Sequence, residues 1–430
     1  MKAHISTLTS QHIAEFPHMS WADAAPRVSP RVRRALETAL ERRDGAALTR
    51  DECLLLANSE SDDLAGLLVA GNELRRELAG DVVTYVVNRN INFTNVCFVG
   101  CRFCAFSRGP HDDDRYFMPL DEVARRTVEA RERGATEVCI QGGLPRGLHP
   151  YYYRDILRAV KQAVPDMHTH AFSPMETVYG VELTGMPLAD YLRMLREAGL
   201  DTMPGTAAEI LDDGVRAILS RNKLSSARWR EVITTAHRCG IRTTSTLMYG
   251  HVEEPEHWVD QLLLFRAMQS ETGGFTEFVP LGFVHQHTDL YLKGLARPGP
   301  TLDEHLKIHA LARVLLAGSI NNVQVSWVKL SREVSQMCLQ AGANDYGGTL
   351  MDENISRLAG ATSGQYLGAE EFHQRIRELG RVPAERNTTY TKMNFELRPE
   401  ACSGALARPA VAGTASAHAG PLVTIAEASR

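Results

Sequence analysis

The sequence predicts an α/β fold: a (β/α)8, TIM-barrel-like core with an N-terminal helical extension and a disordered C-terminal tail. Three observations carry this expectation. Between residues 81 and 350, short strand candidates alternate eight times with amphipathic segments, a span that matches the roughly 250 residues of such a barrel. Chemistry-bearing residues gather just after each strand candidate, on the rim where the active sites of this fold sit. The first of those loops holds Cys97, Cys101 and Cys104. A doubly wound sheet more often carries a Gly-rich phosphate turn there.

The elements follow in order. Residues 1–28 are mixed in character and expected to be loosely ordered. Residues 29–80 read as two or three helices: Leu36, Ala39 and Leu40 recur at helical spacing, and so do Leu64, Leu67, Leu68 and Leu74. Thr49 and Glu52 form a capping box ahead of the run Cys53-Leu-Leu-Leu. The barrel occupies 81–350, with strands expected at 83–93, 136–141, 167–172, 200–203, 241–248, 275–281, 322–327 and 342–346. Its helices are expected at 120–133, 151–163, 188–198, 227–239, 255–271, 302–316 and 331–340. A closing segment at 351–397 carries helices at 351–358 and 369–379. The Ala/Gly/Pro/Ser-rich stretch 398–430 lacks periodicity and reads as a disordered tail.

Composition excludes several classes. Lys plus Arg is 47 and Asp plus Glu is 52, and the net charge of −5 gives no electrostatic footprint for nucleic acid. At 44% hydrophobic, the chain has ample material for a large core. No apolar stretch approaches the roughly 20 residues that span a bilayer. The start, Met1-Lys-Ala-His-Ile-Ser-Thr-Leu-Thr-Ser, lacks the apolar region of a signal peptide. A reduced, cytoplasmic protein without a membrane partner is expected. Eight cysteines in 430 residues are too few and too scattered for a disulfide framework. Cys139 and Cys239 lie in apolar strand-like and helical runs and read as packing thiols; Cys53, Cys338 and Cys402 show no pairing pattern.

The three clustered cysteines are spaced C-x3-C-x2-C, with no fourth nearby. A 4Fe–4S cluster normally takes four thiolates, so three leave one iron open for chemistry. The competing reading is a structural zinc site completed by His111, although paired C-x2-C motifs are the usual zinc signature. Further rim runs are Gln141-Gly142-Gly143, His168 to Glu176, Pro204 to Glu209, Met248 to Glu253, Glu277 to His285, Ser326 to Lys329 and Asn344 to Thr349. Each has a plain alternative. Gly142-Gly143 is otherwise a tight turn, His168 and His170 share one face of a strand, and Glu176 and Glu209 otherwise cap or solvate loops. Trp327 is most simply a packed aromatic.

The cysteine spacing is that of the radical S-adenosylmethionine (SAM) enzymes. The chain further resembles the family of FO synthase subunit 2, the tyrosine 4-hydroxyphenyl transferases (CofH). The resemblance rests on Asn90-Ile-Asn-Phe-Thr-Asn-Val-Cys97 through Cys104-Ala-Phe106, and on His170-Ala-Phe-Ser-Pro-Met-Glu176. It continues in Pro204-Gly-Thr-Ala-Ala-Glu-Ile-Leu-Asp-Asp213, Gly273-Gly-Phe-Thr-Glu-Phe-Val-Pro280, Tyr291-Leu-Lys-Gly294, Ser326-Trp-Val-Lys329 and Gly347-Gly-Thr-Leu-Met351. Roughly residues 30–392 are covered. Futalosine-pathway enzymes of menaquinone synthesis, of the cyclic dehypoxanthinyl futalosine synthase type, share the cysteine loop and the Gly250-His-Val-Glu253 run and are the alternative. Gly282 stands where proline is expected in the family.

The resemblance implies a radical SAM barrel with a 4Fe–4S cluster on Cys97, Cys101 and Cys104. It implies reductive cleavage of SAM, hydrogen abstraction from the amino group of L-tyrosine, Cα–Cβ scission, and addition of the 4-hydroxybenzyl group to 5-amino-6-(D-ribitylamino)uracil. FO synthase subunit 1 is the implied pathway partner, and an electron donor such as ferredoxin or flavodoxin is expected. On the polar rim, His170, Glu176, His251, Glu277, Lys329 and Asp345 are the candidate catalytic residues. Phe103, Gln141, Gly142, Gly143, Glu209 and Met248 are the candidate SAM-binding residues.

Overall fold

The computed structural model describes residues 6–397. The tail expected at 398–430, Cys402 included, lies outside the described residues. Among the described residues ten strands form two sheets: β1 Val82–Val86, β2 Asn88–Ile91, β3 Glu137–Ile140, β4 His168–Ala171, β5 Thr202–Met203, β6 Arg242–Tyr249, β7 Phe275–Gly282, β8 Asp345–Gly348, β9 Val382–Arg386 and β10 Met393–Asn394. One sheet runs in chain order from β2 to β7, all parallel; the other has the order β10-β9-β1-β8.

The expected first strand, 83–93, is broken at Val87 into β1 and β2, and this break joins the two sheets. β1 pairs with β8, and β2 pairs with β3. Thr349 holds the joint: its hydroxyl accepts from Asn88 N (2.9 Å) and donates to Asn88 O (2.7 Å). On the far side, Val323 bridges Phe278 of β7 and Gln324 bridges Asp345 of β8, both parallel. The ring of eight strand positions is thereby closed, as a (β/α)8 core requires. The seventh position is only these bridges, because the chain turns at once into the 3-10 turn Trp327–Lys329. The expected strand at 322–327 is therefore shorter than its apolar pattern implies.

Most expected helices are present within one or two residues, including Leu120–Glu132, Tyr152–Ala163, Leu188–Ala198, Ser226–Arg238, Pro255–Thr272 and Leu302–Leu316. Three between residues 81 and 350 were not expected: Pro174–Thr184, Asp213–Leu219 and the short Asp289–Leu292. The first is mostly buried and lacks an amphipathic stripe, so its start was the legible signal. Ser173 is the N-cap, Pro174 the first residue, and Glu176 completes a capping box. In the extension, Pro30–Arg42, Arg50–Ala57 and Ser61–Ala79 are helical, and the Thr49–Glu52 capping box is formed. Residues 6–28 are better ordered than their composition implies. Two short helices, Ser10–Glu15 and Trp21–Ala24, each carry a capping box, Phe16 is 1% exposed, and the Asp303 carboxylate accepts from the Thr7 (2.6 Å) and Leu8 (3.2 Å) amides. A single buried aromatic gives no periodicity, which is why the pattern missed them. Among the described residues no helix is long and apolar enough to cross a membrane.

The closing segment enters the barrel from below. β9 lies parallel to β1, pairing Val82 with Val382 and Tyr85 with Glu385, and β10 folds back on it. This strand carries Arg386 into the barrel interior, where it meets Asp345 and Glu277.

Candidate active site

Two chambers meet inside the barrel mouth. The upper one, about 370 Å³, is roofed by the cysteine loop and bordered by Gln141, Glu176, Glu209, Met248 and Lys329. The lower one, about 200 Å³, reaches down among Glu137, His170, Glu277, Gln324 and Arg386. Asn90, Gln141, Thr206, Thr246, Leu281, Lys329 and Glu353 border both.

The cysteine loop is held by backbone hydrogen bonds and by Val99 and Phe106, which are buried. Cys97 N donates to Arg108 O (3.0 Å), Phe98 N to Leu144 O (3.0 Å), Arg102 N to Leu219 O (2.9 Å) and Cys104 N to Cys101 O (3.1 Å). Arg108 reaches back to the carbonyls of Ala105 (2.9 Å) and Ser107 (3.0 Å). All three thiols are free, half-buried, and face the upper chamber. Burial pushes the Cys101 thiol up to about 11 and raises that of Cys104. Such thiols ionise only beside a positive charge, and metal binding releases their protons. Three thiols bordering one chamber, with no fourth cysteine beside them, are the donor set of a 4Fe–4S cluster with an open iron. His111, the fourth ligand of the zinc reading, is exposed on its turn and does not border the chamber.

Gly142 and Gly143 pass directly beneath this loop. Gly143 N donates to Thr94 O (2.8 Å), and a Cβ at Gly143 would stand 2.2 Å from Val96 O, next to Cys97. Gly143→Ala is expected to push the loop out of place and lower cluster loading and SAM cleavage at least about tenfold. Such a contact is of the order of overpacking, about 1–3 kcal/mol, each 1.4 kcal/mol being tenfold. Gly109→Ala on the same loop, with only Asp112 at 3.5 Å, should load iron normally. Equal iron content in both variants would refute this.

Glu176 braces the same turn. Its carboxylate accepts from Gly142 N (3.0 Å) and from Ser173 N (2.6 Å) and Oγ (2.7 Å), while burial pushes its pKa up to about 7. Opposite lies Glu209, 2.6 Å from Lys223 Nζ, which sits 4.8 Å above the Phe103 ring. Two non-glycine residues there, Ala207 (φ 63°) and Glu209 (φ 40°), hold left-handed backbone. Arg216 enforces this by donating to the carbonyls of Ala207 (3.1 Å), Ala208 (2.6 Å) and Ile210 (3.2 Å). Thr206 Oγ1 donates to Gln141 Oε1 (3.1 Å), linking the two sides.

In the lower chamber, His170 Nδ1 lies 2.8 Å from Thr202 Oγ1, and burial pushes its pKa down to about 4. Glu277 is met by Gln324 Nε2 (3.1 Å), Arg386 (3.3 Å) and the Tyr390 hydroxyl, yet burial raises it to about 7. Lys329, between the chambers, donates to Ser356 Oγ (2.5 Å).

Of the expected site residues, the structure brings together on the chambers Cys97, Cys101, Cys104, Phe103, Gln141, Gly142, Gly143, His170, Glu176, Glu209, Met248, Glu277 and Lys329. Two stand apart. His251 is wholly buried behind the rim; its Nε2 donates to Met248 O (2.9 Å) and its Nδ1 accepts from Val252 N (2.7 Å), so it braces a turn. Asp345 is fully buried below the chambers, bound to Arg386 (2.5 Å) and Thr84 Oγ1 (2.5 Å). Sequence reasoning missed Lys223, Glu353, Ser356, Glu137 and Arg386, which border the chambers. Lys223 and Glu353 lie in loops, Ser356 in the short helix Ile355–Ala359 and Arg386 on the floor strand β9, none with a periodic signal, while Glu137 opens β3, at the end of a strand opposite to the rim.

Comparison with known proteins agrees with this geometry. Residues 91–265 match the radical SAM superfamily, and residues 272–398 match the CofH/MqnC C-terminal region. The chain is 53% identical over 357 residues to FO synthase of Nocardia farcinica, covering 83% of this chain and 41% of that one. It thus spans about two fifths of the length of that relative. It is 47% identical over 366 residues to the 5-amino-6-(D-ribitylamino)uracil–L-tyrosine 4-hydroxyphenyl transferase of Methanothermobacter thermautotrophicus, covering 85% of this chain and 99% of that one. The fold resembles that of methylornithine synthase, with a TM-score of 0.63 at 18% identity over 81% of this chain and 97% of that one. A cysteine loop with three free thiols, roofing a chamber at the mouth of a parallel barrel, and identity along nearly the whole of one relative lead to one conclusion: the chain belongs to the radical SAM superfamily and, within it, to the family of the 5-amino-6-(D-ribitylamino)uracil–L-tyrosine 4-hydroxyphenyl transferases.

Proposed function

We propose that this chain cleaves the Cα–Cβ bond of L-tyrosine and transfers the 4-hydroxybenzyl group to 5-amino-6-(D-ribitylamino)uracil, a step in the synthesis of the deazaflavin FO. The observation that carries this reading is the 47% identity with an enzyme named for that transfer, extending over 99% of its length. Cys97, Cys101 and Cys104 hold the 4Fe–4S cluster. When bound, the cluster supplies the electron for reductive cleavage of SAM. Gln141, Gly142, Gly143, Glu209, Met248 and Phe103 surround SAM in the upper chamber, with Glu176 fixing the glycine turn and Lys223 fixing Glu209. The enclosing loops exclude water from reactive species.

The lower chamber suits a neutral, hydrogen-bonding substrate. His170, pushed down to about 4, is uncharged near neutrality, and Glu277, raised to about 7, is about half protonated there. Both then offer donors and acceptors to a uracil edge or ribityl chain. A second enzyme, FO synthase subunit 1, then closes the ring, and a donor such as ferredoxin or flavodoxin supplies electrons. The FO synthase relatives, more than twice as long as the segment matched here, support such a division of labour. Thiolate ligands favour the reducing cytoplasm as the location.

The test is anaerobic reconstitution with iron and sulfide, then dithionite, SAM, ring-labelled tyrosine and the ribitylaminouracil. Mass analysis should show the label in a uracil adduct, together with deoxyadenosine. Turnover only with a dehypoxanthine futalosine would replace this reading by the menaquinone-pathway one.

A further inference from the structure

Three cationic side chains border the chambers besides the histidine, and two are matched by carboxylates. Lys223 lies 2.6 Å from Glu209, and Arg386 lies 2.5 Å from Asp345 and 3.3 Å from Glu277. Lys329 has no ion pair among the described residues. Its Nζ donates to Ser356 Oγ (2.5 Å), and that hydroxyl in turn donates to Glu353 Oε1 (3.0 Å). An ammonium has three N–H donors, so two of those on Lys329 have no protein partner among the described residues. Burial lowers its pKa, with the Glu353 charge acting in opposition. A half-buried cation facing a cavity without a contacting anion is costly unless a ligand brings one. Lys329 also borders both chambers, so a group held there is within reach of each.

We propose that Lys329 binds the carboxylate of the amino-acid substrate at the junction of the two chambers, with Ser356 and Glu353 orienting the ammonium. This rests on the reading of L-tyrosine as substrate. A carboxylate completes the two open donors with charge-assisted bonds, and Ser356 keeps Glu353 one bond away so that the acid does not occupy the place of the ligand. Glu353 is itself committed to the Ser356 amide at 3.1 Å. Lys329 is thus a positioning group for the molecule whose Cα–Cβ bond breaks. The carboxylate of SAM is the other anion in such a site, and the test separates the two.

Labelled L-tyrosine and tyramine, which lacks only the carboxylate, are titrated by equilibrium dialysis against the reconstituted enzyme with SAM present. SAM binding is measured separately. Lys329→Met should weaken tyrosine about ten- to a hundredfold, the range for loss of charge-assisted hydrogen bonds. Tyramine and SAM should bind as in the unaltered chain, so that the preference for tyrosine disappears. Lys329→Arg should restore part of that preference, and circular dichroism and iron content show whether each variant is folded. Equal weakening of tyrosine and tyramine, or a loss confined to SAM, overturns the proposal. Undiminished tyrosine binding by Lys329→Met sinks it alone, whereas failure of the unaltered chain to bind tyrosine sinks the substrate reading with it.

Discussion

Cys101→Ala should abolish cluster loading and SAM cleavage together. Three thiolates are the fewest that hold a 4Fe–4S cluster with one iron left open. Removing one leaves two irons without protein ligands, and no nearby side chain replaces it. The other cysteines among the described residues lie elsewhere: Cys53, Cys239 and Cys338 are buried in the core, and Cys139 lines the lower chamber. Burial raises the Cys101 thiol to about 11, so it does not serve as a thiolate until iron provides the charge. Iron and sulfide content should fall to background, and deoxyadenosine should be undetectable. Cys239→Ala, whose thiol lies 3.7 Å from the Ala189 carbonyl far from the chambers, should load iron as the unaltered chain does. Retained iron and SAM cleavage in Cys101→Ala would mean that the ligands are wrongly assigned.

The barrel and its cysteine roof were legible in the sequence because both are local signals. β-Branched runs such as 241–248, with Ile241 and three threonines, give β6 almost to the residue, and spacing alone places three thiols on one loop. The failures share a cause. Position at a strand end does not say which way a side chain faces. His251 follows Gly250, whose φ of 96° turns the chain, and the ring points behind the rim instead of into it. Asp345 was expected on the rim because its run ends the last barrel strand. It opens β8 instead, on the closed side, where it serves Arg386. Arg386 is 41 residues from Asp345 and 109 from Glu277, and no period or motif records such a meeting. Lys329 was visible as a rim residue, but its lack of an anionic partner appears only when all neighbouring carboxylates have been assigned.

The floor cluster carries the other large expected effect. Arg386, 3% exposed, donates to Asp345 through Nε (2.5 Å) and Nη2 (3.2 Å), reaches Glu277 (3.3 Å), and stacks on the Tyr390 ring at 4.1 Å. One guanidinium here faces two carboxylates. Asp345 takes the bidentate contact, so Glu277 is left with burial, which raises its pKa to about 7, the Asp345 and Glu137 charges adding to the rise. Arg386→Met removes the only full positive charge in contact with either acid among the described residues. Loss of one partner from a buried ion pair costs about 3–5 kcal/mol. The pH dependence has a definite sign. Glu277, already raised by burial and then without the opposing Arg386 charge, would bind its proton more tightly folded than unfolded, so stability falls as pH rises from its unfolded value, near 4, through the raised folded one. The deficit in urea unfolding should be smallest near pH 5 and grow toward pH 8. Adding Asp345→Asn to Arg386→Met should recover part of the loss at pH 8, because the stranded charge goes with it. A deficit under about 1 kcal/mol at both pH values, or one larger at pH 5, would show that the floor is held by packing and not by charge. The lower chamber depends on this floor. If the cluster is what seats β9 beneath the barrel, Arg386→Met should also weaken retention of the ribitylaminouracil while leaving iron content unchanged, since the cysteine loop is tied by its own backbone bonds at the opposite end.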